Sequence, residues 1–175
     1  MKPKFFASAI IFLVIIITSC TPASYLQTVN KPISASLASY RVAIVDVIHP
    51  EGDPANLEER QLLAREISIG LEQDGPFIQI IHADSEEKDS GDILIECLIT
   101  RIKRMSREAR IMLGIMAGPA SIEIQVKLIE QKSKKVIGEA TVTGKSSAGT
   151  IASGTTEEAI QEAAKGVVKF VIANK

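Results

Sequence analysis

Tryptophan is absent, and aromatic residues make up only 4% of the chain. That excludes the stacking platforms of sugar-binding proteins and the aromatic cages that hold quaternary ammonium groups. Histidine is nearly as scarce: His49 and His82 stand alone, with no His-Glu-x-x-His and no paired-cysteine spacing to hold zinc. Serines abound, but none sits in a nucleophile-elbow pattern. Charge of neither sign dominates, with 20 Lys and Arg against 21 Asp and Glu. Nucleic acid, which calls for a basic stripe, is therefore not an expected partner. No cofactor fingerprint is present, and none is expected to bind.

What the chain does have is a short hydrophobic run. Lys2 and Lys4 precede an apolar stretch from Phe5 to Ile17, broken only by Ser8. This is the plan of an export signal, and it falls short of the roughly 20 apolar residues that cross a bilayer. The run ends in Ile17-Thr18-Ser19-Cys20, which resembles the bacterial lipobox. The resemblance implies cleavage between Ser19 and Cys20, transfer of diacylglyceryl to the Cys20 thiolate, and palmitate-type acylation of the new amino terminus. An ordinary secretory signal with a chance cysteine is the alternative. Two or three acyl chains hold a protein stably on a membrane, where one does not. Thr21 stands where an aspartate would retain a lipoprotein at the inner membrane. The resemblance thus implies a cell-envelope address, on the outer membrane facing the periplasm in a Gram-negative host. Loss of residues 1–19 removes Lys2 and Lys4 and leaves a slight acidic excess. With Cys20 lipidated, Cys97 has no cysteine to pair with, so packing must hold the fold.

Residues 20–39, rich in Ser, Thr, Ala, Asn and Pro, read as the lipidated N-terminus and a flexible tether. Residues 40–175 suit a single domain. A strand is predicted over 40–47, apolar on both faces. A helix follows from Asn56, with Glu59 completing a capping box and Leu63, Ala64, Ile67 and Leu71 inward, until Gly75-Pro76 stops it. Strands follow at 77–82, 92–103, 120–131 and 135–145. In the second of these, Ile93, Ile95, Cys97 and Ile99 share one face, and Leu94, Leu98 and Ile102 the other. Thr155 and Glu158 suggest a second capping box before a closing helix. That helix buries Ile160, Ala163, Ala164, Val167, Val168 and Val171. The order β-α-β-β-β-β-α predicts an α+β fold, a single mixed, mostly antiparallel sheet of about five strands with two helices packed on it.

Gly91-Asp92 opens the strand Ile-Leu-Ile-Glu-Cys-Leu-Ile-Thr. Arg110, Gly114 and Gly118, an alternating strand, a hairpin, Gly144, Gly149 and an alanine-rich helix come after it. This order resembles the bacterial family called domain of unknown function 4410, over roughly residues 40–172. Its hairpin departs from the family pattern: Ser133-Lys134-Lys135 replaces Thr-Gly-Lys, so no glycine supplies a positive φ cheaply. The element order is also similar to periplasmic domains of the TolB amino-terminal kind, which implies binding or assembly rather than catalysis.

The segment 105–119 stands out. Arg107 and Arg110 precede Ile111, Leu113, Gly114, Ile115, Met116 and Gly118, more grease than a strand connection needs. Either it buries against a protein partner, another copy or the bilayer, using adaptable methionines, or it folds beneath the domain's own helices. Arg101, Lys103, Arg104, Arg107 and Arg110 gather charge beside it, for anionic headgroups or for solvent. Asp46, His49, Glu51 and Asp53 cluster where the first strand ends, a common ligand position, though Pro50 and Pro54 also suit a plain turn. Cys97 reads as a small buried hydrophobe, and Ser146–Gly154 as a loop able to cradle an anion. Two functions follow. One is a membrane-anchored envelope lipoprotein that is no enzyme and binds or assembles with envelope proteins or itself. The other is a periplasmic small-ligand or metal-binding domain, or an enzyme, built on the loop after the first strand.

Overall fold

The computed structural model describes residues 22–48, 52, 54–85, 90–106, 108, 111, 112, 118–148 and 154–173. Among them the strands are β1 (Ser24–Lys31), β2 (Val42–Val47), β3 (Gln79–His82), β4 (Ile93–Lys103), β5 (Ser121–Glu130) and β6 (Lys135–Lys145). The long helices are α1 (Leu57–Asp74) and α2 (Thr156–Ile172). One sheet takes all six strands in the order β1-β6-β5-β4-β2-β3. Pairings are antiparallel from β1 through β4, while β2 runs parallel to both β4 and β3. The result is a mixed α+β fold, with six strands where about five were expected.

Alternation sets the core. Ile122, Ile124, Val126 and Leu128 of β5 and Ile93, Ile95, Cys97 and Ile99 of β4 face the helices. There they share one cluster with Leu63, Ile67, Leu71, Val167, Phe170 and Val171. Each such side chain contributes about 1.5–3 kcal/mol on leaving water. Gly144 lets α2 lie directly on β6: a Cβ there would come within 2.1 Å of the Ala159 carbonyl oxygen. The opposite face carries a row of charges across neighbouring strands, Asp46, Glu96, Lys127, Glu139 and Lys31. Lys127 lies 3.8 Å from Glu96.

The helix caps differ from one another. Asn56 and Glu59 form the predicted capping box, each side chain accepting from the other's backbone N–H. At α2, Thr155 accepts from the Glu158 N–H, but the Glu158 carboxylate takes the Gly154 N–H rather than that of Thr155. The second box is therefore shifted by one residue.

The tether expected over 20–39 is corrected. Strand β1 occupies much of it, pairing with β6 from Ser24 opposite Lys145 to Lys31 opposite Glu139. Tyr25 packs against Gly166, with the Lys169 ammonium 5.9 Å from its ring centroid. Beyond β1 the Ser34 N–H donates to the Ile137 carbonyl, and Leu37 is fully buried. An edge strand half open to water mixes polar with apolar residues, which is why this stretch resembles linker composition. A second correction concerns Ile102. A register shift between Ile99 and Arg101 puts Ile102 opposite Ile122, so it packs on the core instead of sharing a face with Leu94 and Leu98. A bulge re-aims every side chain beyond it. Strand β2 is covered on both faces, as its composition implies: Ala43 and Val45 lie in the helix-side core. Ile44 sits beneath Gly91, where a Cβ would be 2.4 Å from its Cγ1.

Candidate functional site

Strand register brings several elements to one end of the sheet. Ser24 of β1 pairs with Lys145 of β6, Lys145 with Ser121 of β5, and Ser121 with Lys103 of β4. Both helices begin at this end. Met105 and Thr156 exchange bonds there, the Met105 N–H donating to Thr156 Oγ1 at 2.9 Å and the Thr156 N–H to the Met105 carbonyl at 3.3 Å. Arg104 meets Glu59 in the first turn of α1 through Nε at 2.7 Å and a second nitrogen at 2.8 Å. That carboxylate holds the Arg104 pKa above its ordinary value. The segment 105–119 thus leaves and rejoins the sheet at pinned points, since the Ala120 N–H donates to Ser146 Oγ at 2.9 Å.

Within that segment, Ile111 is 61% and Met112 86% exposed. For these two residues the buried alternative fails. Gly118 has φ +68°, and its Cα faces the Lys103 ammonium. Arg107, Arg110, Leu113, Gly114, Ile115 and Met116 lie outside the described residues, as do Ser19 and Cys20. Arg104, assigned from sequence to a loose basic cluster, is instead committed to Glu59.

Of the candidates after the first strand, His49, Glu51 and Asp53 lie outside the described residues. Asp46 borders a cavity of about 400 Å³ whose walls include Arg60, Gln61, His82 and Asp84. His82 reaches it because β3 runs parallel beside β2, with His82 opposite Val45. A strand-helix-strand crossover would have signalled that neighbourhood in the sequence. Among the described residues no group of three or more His, Cys, Asp or Glu is placed to hold a metal ion. Another cavity of about 400 Å³ lies between the two helix starts, beside Glu59, Arg104 and Thr156. A shallower groove of about 630 Å³ runs between the helices beside Tyr25.

The remaining candidates have structural roles. Cys97 is buried, and burial pushes its thiol up to about 12, so at neutral pH it is no nucleophile. The start of α2 is already supplied with an anion of its own. The Glu158 carboxylate accepts from Gly154 N at 2.6 Å and Ser147 Oγ at 3.1 Å. Sequence reasoning missed strand β1. It is an edge strand whose Leu26 is 59% and Val29 46% exposed.

These features define an α+β domain with both helices on one sheet face and the β2–α1, β4–β5 and β6–α2 connections at the end where β1 begins. The chain matches the family model for a domain of unknown function (DUF4410) over residues 51–150, and it belongs to that family. Its fold is similar to that of PelC from Paraburkholderia phytofirmans, solved as a dodecamer. The two are 15% identical, with 85% of this chain and 97% of that chain covered at a TM-score of 0.55. A Xanthomonas campestris protein of the DUF330 family is 13% identical, covering 81% of this chain and 87% of that one at a TM-score of 0.49. The chain matches none of the curated proteins. Among the described residues no helix is long and apolar enough to cross a membrane.

Proposed function

We propose that this chain is a lipid-anchored envelope lipoprotein, held through Cys20, whose domain assembles with protein partners, copies of itself included, and catalyses no reaction. The carrying observation is the edge strand β1. Among the described residues no strand pairs with its outer side, where Leu26 and Val29 are exposed, the form of edge that another chain can extend. The dodecameric state of PelC supports the same reading, as does the buried, unreactive Cys97. The test is the mass of the detergent-solubilised full chain in sedimentation. An assembly larger than one chain is expected, and Leu26→Lys with Val29→Lys should reduce it to the monomer. A wild-type monomer that captures no envelope protein on crosslinking in cells overturns the proposal.

The cavity beside Asp46, Arg60 and His82 supports a second reading, a small-ligand or metal binder. Metal analysis of the purified chain, with Asp46→Asn and His82→Ala, tests it. No bound ion and unchanged stability in the variants would remove it.

A further inference from the structure

We infer that the sheet end bearing Ser24, Lys145, Ser121 and Lys103 lies against the bilayer, with Ile111 and Met112 seated among the phospholipid headgroups. The inference rests on the lipid-anchor reading of Cys20 and adds which surface of the domain meets the membrane. Its first support is chain length. Strand pairing begins at Ser24, so only four residue steps separate the fold from Cys20, and these span at most about 14 Å even fully extended. The tether that would have let the domain float freely is not there. Whatever lies near Ser24 is therefore held near the lipid.

The second support is what lies there. Neighbouring strands are spaced by about 4.8 Å, so Lys103, three strands from Ser24, remains within reach of the same patch of bilayer. Lys103 and Lys145 are exposed and can meet phosphate groups. The β4–β5 connection leaves and rejoins the sheet at this end, and it carries Ile111 and Met112, among the few large apolar side chains that the described residues leave exposed. Glu58 and Glu157 in the first helical turns offset part of the positive charge. Apolar contact is thus the main attraction and salt a minor influence. The opposite end offers Lys132, Ser133 and Lys134 of the β5–β6 turn to solvent and, among the described residues, the exposed apolar side chain of Ile78 before β3, against Leu57 at the start of α1 together with Ile111 and Met112 on the other side.

The experiment uses the full lipidated chain in phosphatidylethanolamine–phosphatidylglycerol vesicles, with an environment-sensitive fluorophore on Met112→Cys or, at the far end, on Lys134→Cys. Lipidation blocks Cys20 and burial protects Cys97, so each variant labels at one site. Brominated lipid should quench the Met112 probe several-fold more than the Lys134 probe, and aqueous iodide should show the reverse. Equal lipid quenching at both sites overturns the inference. So does a Met112 probe shielded from both quenchers, which would mean that a protein surface covers it. The intact mass of the amino-terminal peptide is measured alongside. An unlipidated Cys20 refutes the anchor reading itself, and a lipidated Cys20 with a water-exposed Met112 refutes only the orientation.

Discussion

Glu59 and Arg104 join in a two-point ion pair that ties the end of β4 to the first turn of α1. Glu59 is 8% exposed and also accepts from the Asn56 N–H, so one carboxylate caps the helix and fixes the strand end. Glu59→Ala should lower unfolding free energy by about 1–3 kcal/mol, through loss of the cap and of a charged hydrogen bond. Water screens the half-exposed Arg104 head, so coupling between the two residues should be nearer 1 kcal/mol. Urea denaturation of both single variants and the double variant measures it. Strict additivity would show that the pair does not act as a unit.

The close approach of Gly144 to α2 gives a sharper expectation. A Cβ at Gly144 meets backbone, Ala159 O at 2.1 Å and Ala163 N at 2.5 Å, whereas one at Gly70 meets only the Val168 side chain at 2.7 Å. A side chain can rotate away, but a helix backbone cannot without moving the helix. Gly144→Ala should cost about 3 kcal/mol or more and Gly70→Ala clearly less. Equal losses by thermal unfolding would contradict this account.

Stability should also depend on pH through Asp92. Its carboxylate accepts from the Arg41 N–H at 2.8 Å and the Val42 N–H at 3.1 Å, and these bonds hold its pKa below the ordinary 3.8. The ionised form is thus favoured in the folded chain. Its contribution is fully present above the unfolded value and declines as pH falls from there through the folded pKa. Asp92→Asn should be less stable than wild type by about 1–2 kcal/mol at neutral pH. The gap should close in acid below the ordinary aspartate range. A gap that stays constant across that range would refute the assignment.

Lys134 carries φ 55° in the β5–β6 turn, a conformation that costs a side-chain-bearing residue about 1 kcal/mol. Its ammonium bonds Gln131 Oε1 at 2.6 Å on the open surface, which offsets little of that cost. Lys134→Gly should raise the melting temperature by about 2–4 °C. Calorimetry that finds a fall instead would show that the Gln131 contact outweighs the backbone.

Cys97 should stay unmodified when the native chain meets iodoacetamide at neutral pH, because burial keeps its thiol protonated. It should become fully alkylated in guanidinium. Peptide mass analysis distinguishes the two states, and ready alkylation of the native chain would place Cys97 nearer the surface than the fold allows.

Much of this protein is local and therefore legible in its sequence. The clean alternation of β5, the Asn56–Glu59 box and the apolar stripe of α2 each depend on neighbours within a few residues, where periodicity and capping chemistry act. Family membership was equally visible, in the order of glycines and strands from Gly91 to Gly149. The tertiary structure decided what depends on residues far apart in the chain. Strand β1 forms only because β6, more than a hundred residues later, supplies its partner, and nothing in Ser24–Lys31 itself distinguishes an edge strand from a linker. The bulge before Arg101 turned Ile102 inward, a one-residue change of register that alternation alone cannot anticipate. Arg104 found Glu59 across 45 positions and left the basic cluster to which its neighbours assigned it. The sequence determined five of the six strands and both long helices; only long-range pairing determined that a supposed tether is part of the sheet, and so how little chain separates Cys20 from the fold.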